Sequence, residues 1–248
     1  MKSKIKNLLL KVALPMAFWL LVWQIFADIV DNKFLLPGIK ATINSLFELL
    51  FESDFYYAIL LSASRVIVGL ALGIVTGCIL ALLCSKFEFI KALFLPIVRI
   101  IRSTPVASFI IVLWVLMSGD MLSIFIAFLM VMPIIYQNVL DGISSIDKQL
   151  IEVADVFEFS YAKRLKLLTL PAIEKYLIPG IITATGLAWK AEIAAEIIAY
   201  TTHSIGQGIH DAKYNLDTPR VFAWTVVIIL LSIGLEILTR TLIRRVEK

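Results

Sequence analysis

Long apolar runs constrain this chain more than any other feature of its sequence. Six stretches are dominated by apolar side chains and are separated by charged residues or by Gly and Pro. A helix needs about 20 apolar residues to cross the hydrocarbon core of a bilayer, so each stretch can span a membrane once. The predicted spans are 12–30, 58–84, 93–117, 121–140, 177–200 and 221–242.

The composition supports a membrane as the solvent of this chain. Hydrophobic residues make up 60% and charged residues 17% of the sequence, whereas soluble domains are roughly half apolar and one quarter charged. We therefore predict an all-α, polytopic membrane protein with six transmembrane helices. Six spans and their connections account for the 248 residues, so we expect no attached soluble domain.

The start of the chain holds an apolar run and a surface segment, and the apolar run allows two interpretations. Residues 1–57 combine the first span with a segment whose pattern over 43–51 predicts a short amphipathic helix at the membrane surface. Lysines followed by an apolar run are also how a signal peptide begins. No small-residue cleavage site follows the run, so we expect it to be retained as the first span.

The basic residues are distributed unevenly between the two sides of the predicted bundle. Fifteen of the 23 Lys and Arg residues fall on the side of the termini, and four fall on the other side. The remaining four, Arg65, Arg99, Arg102 and Lys190, lie within apolar runs. Lys and Arg accumulate on the cytoplasmic side of membrane proteins, so we predict that both termini are cytoplasmic.

The loop at 141–175 is too polar to cross a membrane and is patterned as two short helices. Ser144 or Ser145 can cap the first helix, and Ser160 can cap the second. The cationic side chains Lys163, Arg164 and Lys166 are expected to stay in water. Leu170 precedes Pro171, and a residue before proline disfavours the helical conformation. We therefore expect the second helix to end there.

Four apolar side chains, Val153, Val156, Phe157 and Phe159, stand among the charges of this loop. Leaving them in water is unfavourable, and burial is worth roughly 25 cal/mol per Å² of apolar surface. They either bind a partner or pack against the chain's own helix ends.

The loop resembles the E-A-A, three residues, G, nine residues, I-x-L-P motif of the permeases of binding-protein-dependent ABC importers. The positions that match or substitute conservatively are Glu152, Ala154, Leu168, Leu170 and Pro171. Val153 replaces the second alanine, and Glu158 replaces the glycine. Glycine adopts positive φ easily and so favours the turn between the two helices, which leaves open whether the bend falls at Glu158 or one residue away.

The resemblance extends over residues 58–245 and is closest to the nitrate, sulfonate and taurine branch of these permeases. Short stretches in the right order carry it: Ser64-Arg65-Val66, Arg102-Ser103-Thr104-Pro105, Gly186-Leu187-Ala188-Trp189 and Leu216-Asp217-Thr218.

The resemblance implies the MetI-like fold of type I ABC importers, with residues 58–245 as the transmembrane domain. The loop 141–175 then docks on a separate ATPase subunit through Glu152, Val153, Ala154, Val156, Phe157, Glu158, Leu170 and Pro171. The implied partners are two ATPase copies, an identical or homologous permease, an external binding protein and membrane lipid, without nucleic acid.

The location that the resemblance implies is a bacterial inner membrane. The implied cargo is a small solute, expected to be an anion like a sulfonate, nitrate or taurine. ATP and Mg²⁺ are expected on the ATPase, while this chain is expected to bind no cofactor or metal and to be no enzyme. The sequence has no P-loop, HExxH, GxSxG or paired CxxC motif.

Charged side chains inside the predicted spans are the other candidates for function: Arg65, Arg102, Lys190, Glu192 and Glu196. A charge at the bilayer centre costs about 2.5–3.5 kcal/mol even on lenient scales, so each should face protein or water. Glu192 and Glu196 lie on one helix face. They either line a pathway or pair with Arg65 or Arg102. Glu192 would offset the charge of Lys190, which leaves the sign of the substrate open.

The alternative class of protein is an ion-coupled secondary transporter or channel, in which Glu192, Glu196 and Lys190 relay ions. Such a carrier has no need for apolar side chains on a basic loop.

Small residues favour close contact between helices and support a permease dimer. They are Gly69 with Gly73, and Ala191 with Ala194 and Ala195.

Overall fold

The chain is helical, as its sequence predicts. The computed structural model describes the backbone of residues 2–117 and 119–246, and the side chains of these except 2–10, 12 and 246. Within that part there is no strand. Lys248 and the side chains of Lys2, Lys4 and Lys6, which we count as cytoplasmic, lie outside it. The helices are α1 Lys2–Val30, α2 Ile39–Leu50, α3 Ser53–Lys86, α4 Glu88–Ser103, α5 Val106–Trp114, α6 Asp120–Ser144, α7 Lys148–Val156, α8 Tyr161–Arg164, α9 Leu170–Ala199, α10 Ile205–Tyr214 and α11 Thr218–Val246.

The predicted third span, 93–117, is not a single helix but falls on two helices, α4 and α5, that meet at a sharp bend. The described residues contain five helices long and apolar enough to cross a membrane, and α4 with α5 would be a sixth, bent by 103°. The bend falls at Thr104, whose backbone is extended at φ −87° and ψ 133°. Pro105 follows it, and a residue before proline is pushed out of the helical region. The apolar composition of 93–117 predicts that this segment lies in the membrane. Pro105 sets the direction in which the chain continues after Thr104.

The bent pair nevertheless counts as one crossing, because α3 and α6 run parallel. Gly69 faces Ala127, and Gly73 faces Val131 farther along both helices. A chain that leaves one end of α3 and enters α6 at the other end must recross the bundle between them. The described helices therefore allow six crossings, with α1 starting at the same end of the bundle at which α11 finishes.

Small residues let α3 lie directly against α6. Cβ atoms built on Gly73 and Gly77 would fall 2.5 Å from the Cβ of Val131 and 2.9 Å from that of Ile135. Ala191 and Ala195 of α9 are likewise buried in a cluster with α5 and α6. The small-residue faces of α3 and α9, from which a dimer is predicted, are therefore occupied by contacts within the chain itself.

The helix α6 is the centre of the bundle. In the most apolar 18-residue stretch of α6, 61% of the residues are buried, compared with 6% in that of α1. Its second neighbour, α9, runs antiparallel to it: Gly180 lies against Asn138, and Gly142 lies against Ile173. The predicted amphipathic segment is α2, which packs on α1, α3 and α11 and buries Leu49.

We expect Gly73→Ala to lower the free energy of unfolding by about 1–3 kcal/mol, because overpacking forces the two helices apart. Gly234→Ala is the matched control, since a Cβ there meets nothing within 4 Å, and alanine should be neutral or stabilising by up to about 1 kcal/mol. Unfolding of both purified variants in detergent measures the difference. Equal stability would contradict the close packing of α3 on α6.

Candidate functional site

The loop 141–175, called here the coupling loop, is built from two capped helices. The carboxylate of Asp147 accepts the N–H of Gln149 at 2.9 Å and caps α7. The predicted caps Ser144 and Ser145 are wrong, because α6 continues through Ser144. The predicted cap at Ser160 is confirmed, since its hydroxyl accepts a backbone N–H at the start of α8.

The bend between these helices falls at Glu158. Its φ is +47°, the left-handed conformation that costs a residue with a side chain about 1–2 kcal/mol. Two hydrogen bonds close the turn: Phe159 N–H donates to Ala154 O at 2.9 Å, and Glu158 N–H donates to Asp155 O at 3.0 Å. This is the Schellman arrangement, in which glycine usually holds the left-handed position. The chain therefore bends where the motif has glycine, but without glycine.

Arg164 reaches across this bend. Its Nη2 lies 2.5 Å from Asp155 Oδ1 and donates to Ala154 O at 3.3 Å, while its Nε donates to Phe159 O at 3.1 Å. Lys163 Nζ lies 3.8 Å from the centre of the Phe159 ring, a cation–π contact. The sequence predicts that Arg164 stays in water; its side chain is 35% exposed, and its guanidinium is bound to the loop.

The second short helix does not end at Leu170, which corrects the prediction from Pro171. A π-helical turn, Leu165–Thr169, joins α8 to α9, and Leu170 N–H donates to Leu165 O. Proline lacks an N–H and its ring clashes with the carbonyl four residues before it in an α-helix. The wider turn relieves that conflict. Residues 161–199 therefore form one helical rod, and the coupling loop is joined to the fifth span without a flexible link.

The apolar side chains of the coupling loop are presented to the outside. The exposed fractions are 48% for Val153, 80% for Val156 and 71% for Phe157. Ala154 is buried under the bend and Phe159 is partly buried. Within the chain, then, Val153, Val156 and Phe157 are not buried against its helix ends. Glu152, Glu158, Leu170 and Pro171 are also exposed.

A second group of candidates meets at the other end of the bundle. Arg65 of α3 is 4% exposed, and its guanidinium lies 2.7 Å from Glu196 of α9 and 2.6 Å from Asp120 at the start of α6. Glu196 is fully buried, whereas the Asp120 side chain is 69% exposed. A buried arginine is thus compensated by one buried and one exposed carboxylate.

The Glu196 carboxylate also fixes the start of α10. It accepts the Ser62 hydroxyl at 2.8 Å and the Gly206 N–H at 3.1 Å, where the positive end of the helix dipole favours an anion. A Cβ on Gly206 would lie 2.3 Å from that of Glu196, so only glycine fits. The sequence gives no sign of Ser62, but the glycines of 204–209 could have indicated a close approach.

Of the other predicted charges, Glu192 neighbours this cluster of Arg65, Glu196, Asp120 and Ser62 on α9, whereas Arg102 and Lys190 do not belong to it. Glu192 is fully buried one turn away from Glu196, and within the described residues its carboxylate oxygens have no hydrogen-bond partner. Arg102 and Lys190 are exposed. Arg102 donates to Gln137 at 3.4 Å, so it does not pair with Glu192 or Glu196 as the sequence allowed.

The described residues contain no group of three His, Cys, Asp or Glu side chains placed to hold a metal ion. A cleft of about 450 Å³ opens among α3, α10 and α11, at the end away from the coupling loop. Asp54 and Asp217 line it, and so do Glu52 and Arg220, which form an ion pair with each other.

Comparison with known proteins gives one family. Residues 69–248 match the family described as binding-protein-dependent transport system inner membrane component.

Curated relatives cover most of the chain. A putative ABC transporter permease protein of Methanocaldococcus jannaschii is 27% identical over 95% of this chain and 90% of its own length. The putative aliphatic sulfonates transport permease SsuC of Bacillus subtilis is 24% identical over 92% and 83%. The nitrate import permease NrtB of Synechococcus elongatus is 28% identical over 85% and 80%.

A solved structure shares the fold. It is that of a bacterial ABC transporter involved in the import of the acidic polysaccharide alginate, and the matched chain has a TM-score of 0.64 at 16% identity. The match covers 100% of this chain and 98% of that one. The type I importer fold predicted from the sequence is confirmed.

Arg65→Met should destabilise the protein by about 3–5 kcal/mol, because it leaves the buried Glu196 carboxylate without its cation. The double variant Arg65→Met/Glu196→Gln should be more stable than Arg65→Met alone, since position 196 then carries no charge that needs the missing cation. Unfolding in detergent compares the three proteins. If the double variant were the less stable one, the pair would not be coupled as its geometry indicates.

Proposed function

Because this chain belongs to the family of binding-protein-dependent transport system inner membrane components, we propose that it is the membrane-spanning permease of an ATP-driven importer. Two permease copies enclose the pathway, two ATPase subunits bind the coupling loops, and an external binding protein delivers the solute. ATP and Mg²⁺ bind to the ATPase subunits, and the permease itself catalyses no reaction.

The observation that carries this proposal is the exposure of Val156 and Phe157 at the end of α7. Fully burying a side chain of this kind contributes about 1.5–3 kcal/mol. The surrounding loop is charged, and the bend at Glu158 holds these two side chains away from the chain's own helices. An apolar pocket on a separate subunit is the partner that this arrangement favours.

Movement of the coupling loop can reach the opposite end of the bundle through α9. The rod 161–199 is roughly 60 Å long at 1.5 Å per residue, and it carries Glu196 near its far end. Docking at α7 would therefore tilt or shift the helix that anchors the Arg65 cluster. An ion-coupled carrier is less well supported, because Glu196 is already engaged by Arg65, Ser62 and Gly206.

The uneven distribution of Lys and Arg supports a cytoplasmic coupling loop in a bacterial inner membrane. Fifteen of 23 basic residues belong to the termini or to the loops at the same end as the coupling loop, and such residues accumulate in the cytoplasm. An ATPase that binds there would have access to cytoplasmic ATP.

The exposed cations of α4 and α9 support a pathway for small anions between two permease copies. Arg102 contacts Gln137, near the level of Gly180 on α9, and Lys190 lies about 15 Å farther along that helix. Exposed charges in lipid are costly, so these side chains face a partner copy or water. The names of two relatives specify sulfonates and nitrate, which are anions.

Phe157→Asp should abolish solute uptake and retention of the ATPase, while the permease still inserts into the membrane. Affinity purification followed by mass spectrometry would detect an ABC ATPase by its P-loop peptide, and ATP hydrolysis by the purified complex would show that it is active. Tyr214→Asp makes a similar change at the other end of the bundle, where Tyr214 is 83% exposed, and should retain the ATPase. Retention of the ATPase by Phe157→Asp would refute the proposed coupling.

Lys190→Ala should reduce uptake of the transported anion by about tenfold or more, the effect of losing a hydrogen bond to a charged group. Lys190→Arg keeps the cation and should retain most of the uptake. Radiolabelled nitrate, bicarbonate and an aliphatic sulfonate serve as probes in cells that produce the complete transporter. An equal loss in both variants would argue against anion contact.

A further inference from the structure

We propose that Arg164 is a positioning residue that holds the bend of the coupling loop in its docking shape, in place of the glycine that is absent at position 158. The inference rests on the proposed function, because it assigns Arg164 a role in presenting α7 to the ATPase. Nothing in the sequence motif singles Arg164 out.

The Arg164 side chain contacts both sides of the bend. One guanidinium binds acceptors on both sides of the bend: Ala154 O and Asp155 Oδ1 belong to α7, and Phe159 O follows the turn. A guanidinium is planar and carries five donors in a fixed fork, so these contacts restrict the angle between α7 and α8. The Ala154 carbonyl lies in the last turn of α7, where a cation is also favoured by the helix dipole.

The backbone conformation of Glu158 is unfavourable for a residue with a side chain. With φ at +47°, this residue holds a backbone conformation that glycine adopts freely and other residues disfavour. The extended alternative would open the turn and redirect α7. Contacts that exist only in the closed turn must therefore compensate, and those of Arg164 span it directly.

The orientation of the docking side chains depends on the bend. The bend sets the direction of α7, which carries Val156 and Phe157, relative to α8 and the continuous rod behind it. Arg164 is 35% exposed, and its hydrogen bonds are directed into the loop. Its loss would leave Val156 and Phe157 present but wrongly oriented.

The experiment uses the complete transporter reconstituted with its ATPase. Arg164→Ala should reduce ATPase association and transport-linked ATP hydrolysis by about tenfold, the effect of losing charge-assisted hydrogen bonds. The amount of inserted permease and its thermal midpoint should stay near those of the wild type. Arg164→Lys, which keeps the charge but not the fork, should behave like Arg164→Ala.

The decisive variant is Arg164→Ala/Glu158→Gly. If Arg164 acts through the bend, glycine at position 158 should restore most of the association and hydrolysis. The charge control is Lys166→Ala, because Lys166 is exposed and, within the described residues, forms no ion pair; it should behave as wild type. Failure of glycine to rescue, a normal Arg164→Lys, or an equal loss in Lys166→Ala would each overturn the inference.

Phe157→Asp, measured in parallel, separates this inference from the proposed function. If Phe157→Asp loses the ATPase while Arg164→Ala keeps it, only the role of Arg164 is refuted. If neither variant loses the ATPase, the proposed docking itself is refuted. Should Arg164→Ala fail to insert, Arg164→Lys with and without Glu158→Gly gives the same test.

Discussion

Close approach of helix backbones to α6 is the constraint on which the rest of this structure depends. Gly73 and Gly77 let α3 lie directly against one side of α6, and Gly142 and Gly180 do the same for α9 on the other side. In a bilayer, helices associate through such van der Waals contact, because lipid is as apolar as the side chains. The two contacts fix the register of three helices at once.

That register places the buried charges. With α3 parallel and α9 antiparallel to α6, Arg65 and Glu196 arrive at the same level of the bundle and within 2.7 Å of each other. Neither side chain could be buried at acceptable cost without the other. Gly206 then brings the start of α10 onto the same carboxylate, so the loops at this end are organised around one ion pair.

The shape of the coupling loop does not depend on this close helix packing, because the loop lies outside the bundle. Its shape comes from local hydrogen bonds at Asp147, Glu158 and Ser160, with Arg164 bridging the bend. The π turn at 165–169 joins α8 to α9, so 161–199 form a single rod behind the bend. A loop with a fixed shape on a stiff helix can transmit a displacement, whereas a flexible linker would absorb it.

The sequence by itself determined the class of solvent, the number of crossings, the positions of most helices and the location of the coupling loop, because apolar run length and motif spacing are local properties of the chain. Only the tertiary structure decided which charges meet, since Arg65 and Glu196 are 131 residues apart and their distance depends on helix register. The same holds for the continuation through Pro171 and for the left-handed Glu158. At each of these positions the backbone preference of the residue competes with hydrogen bonds made by its neighbours. The sequence alone does not show which of these two effects is stronger.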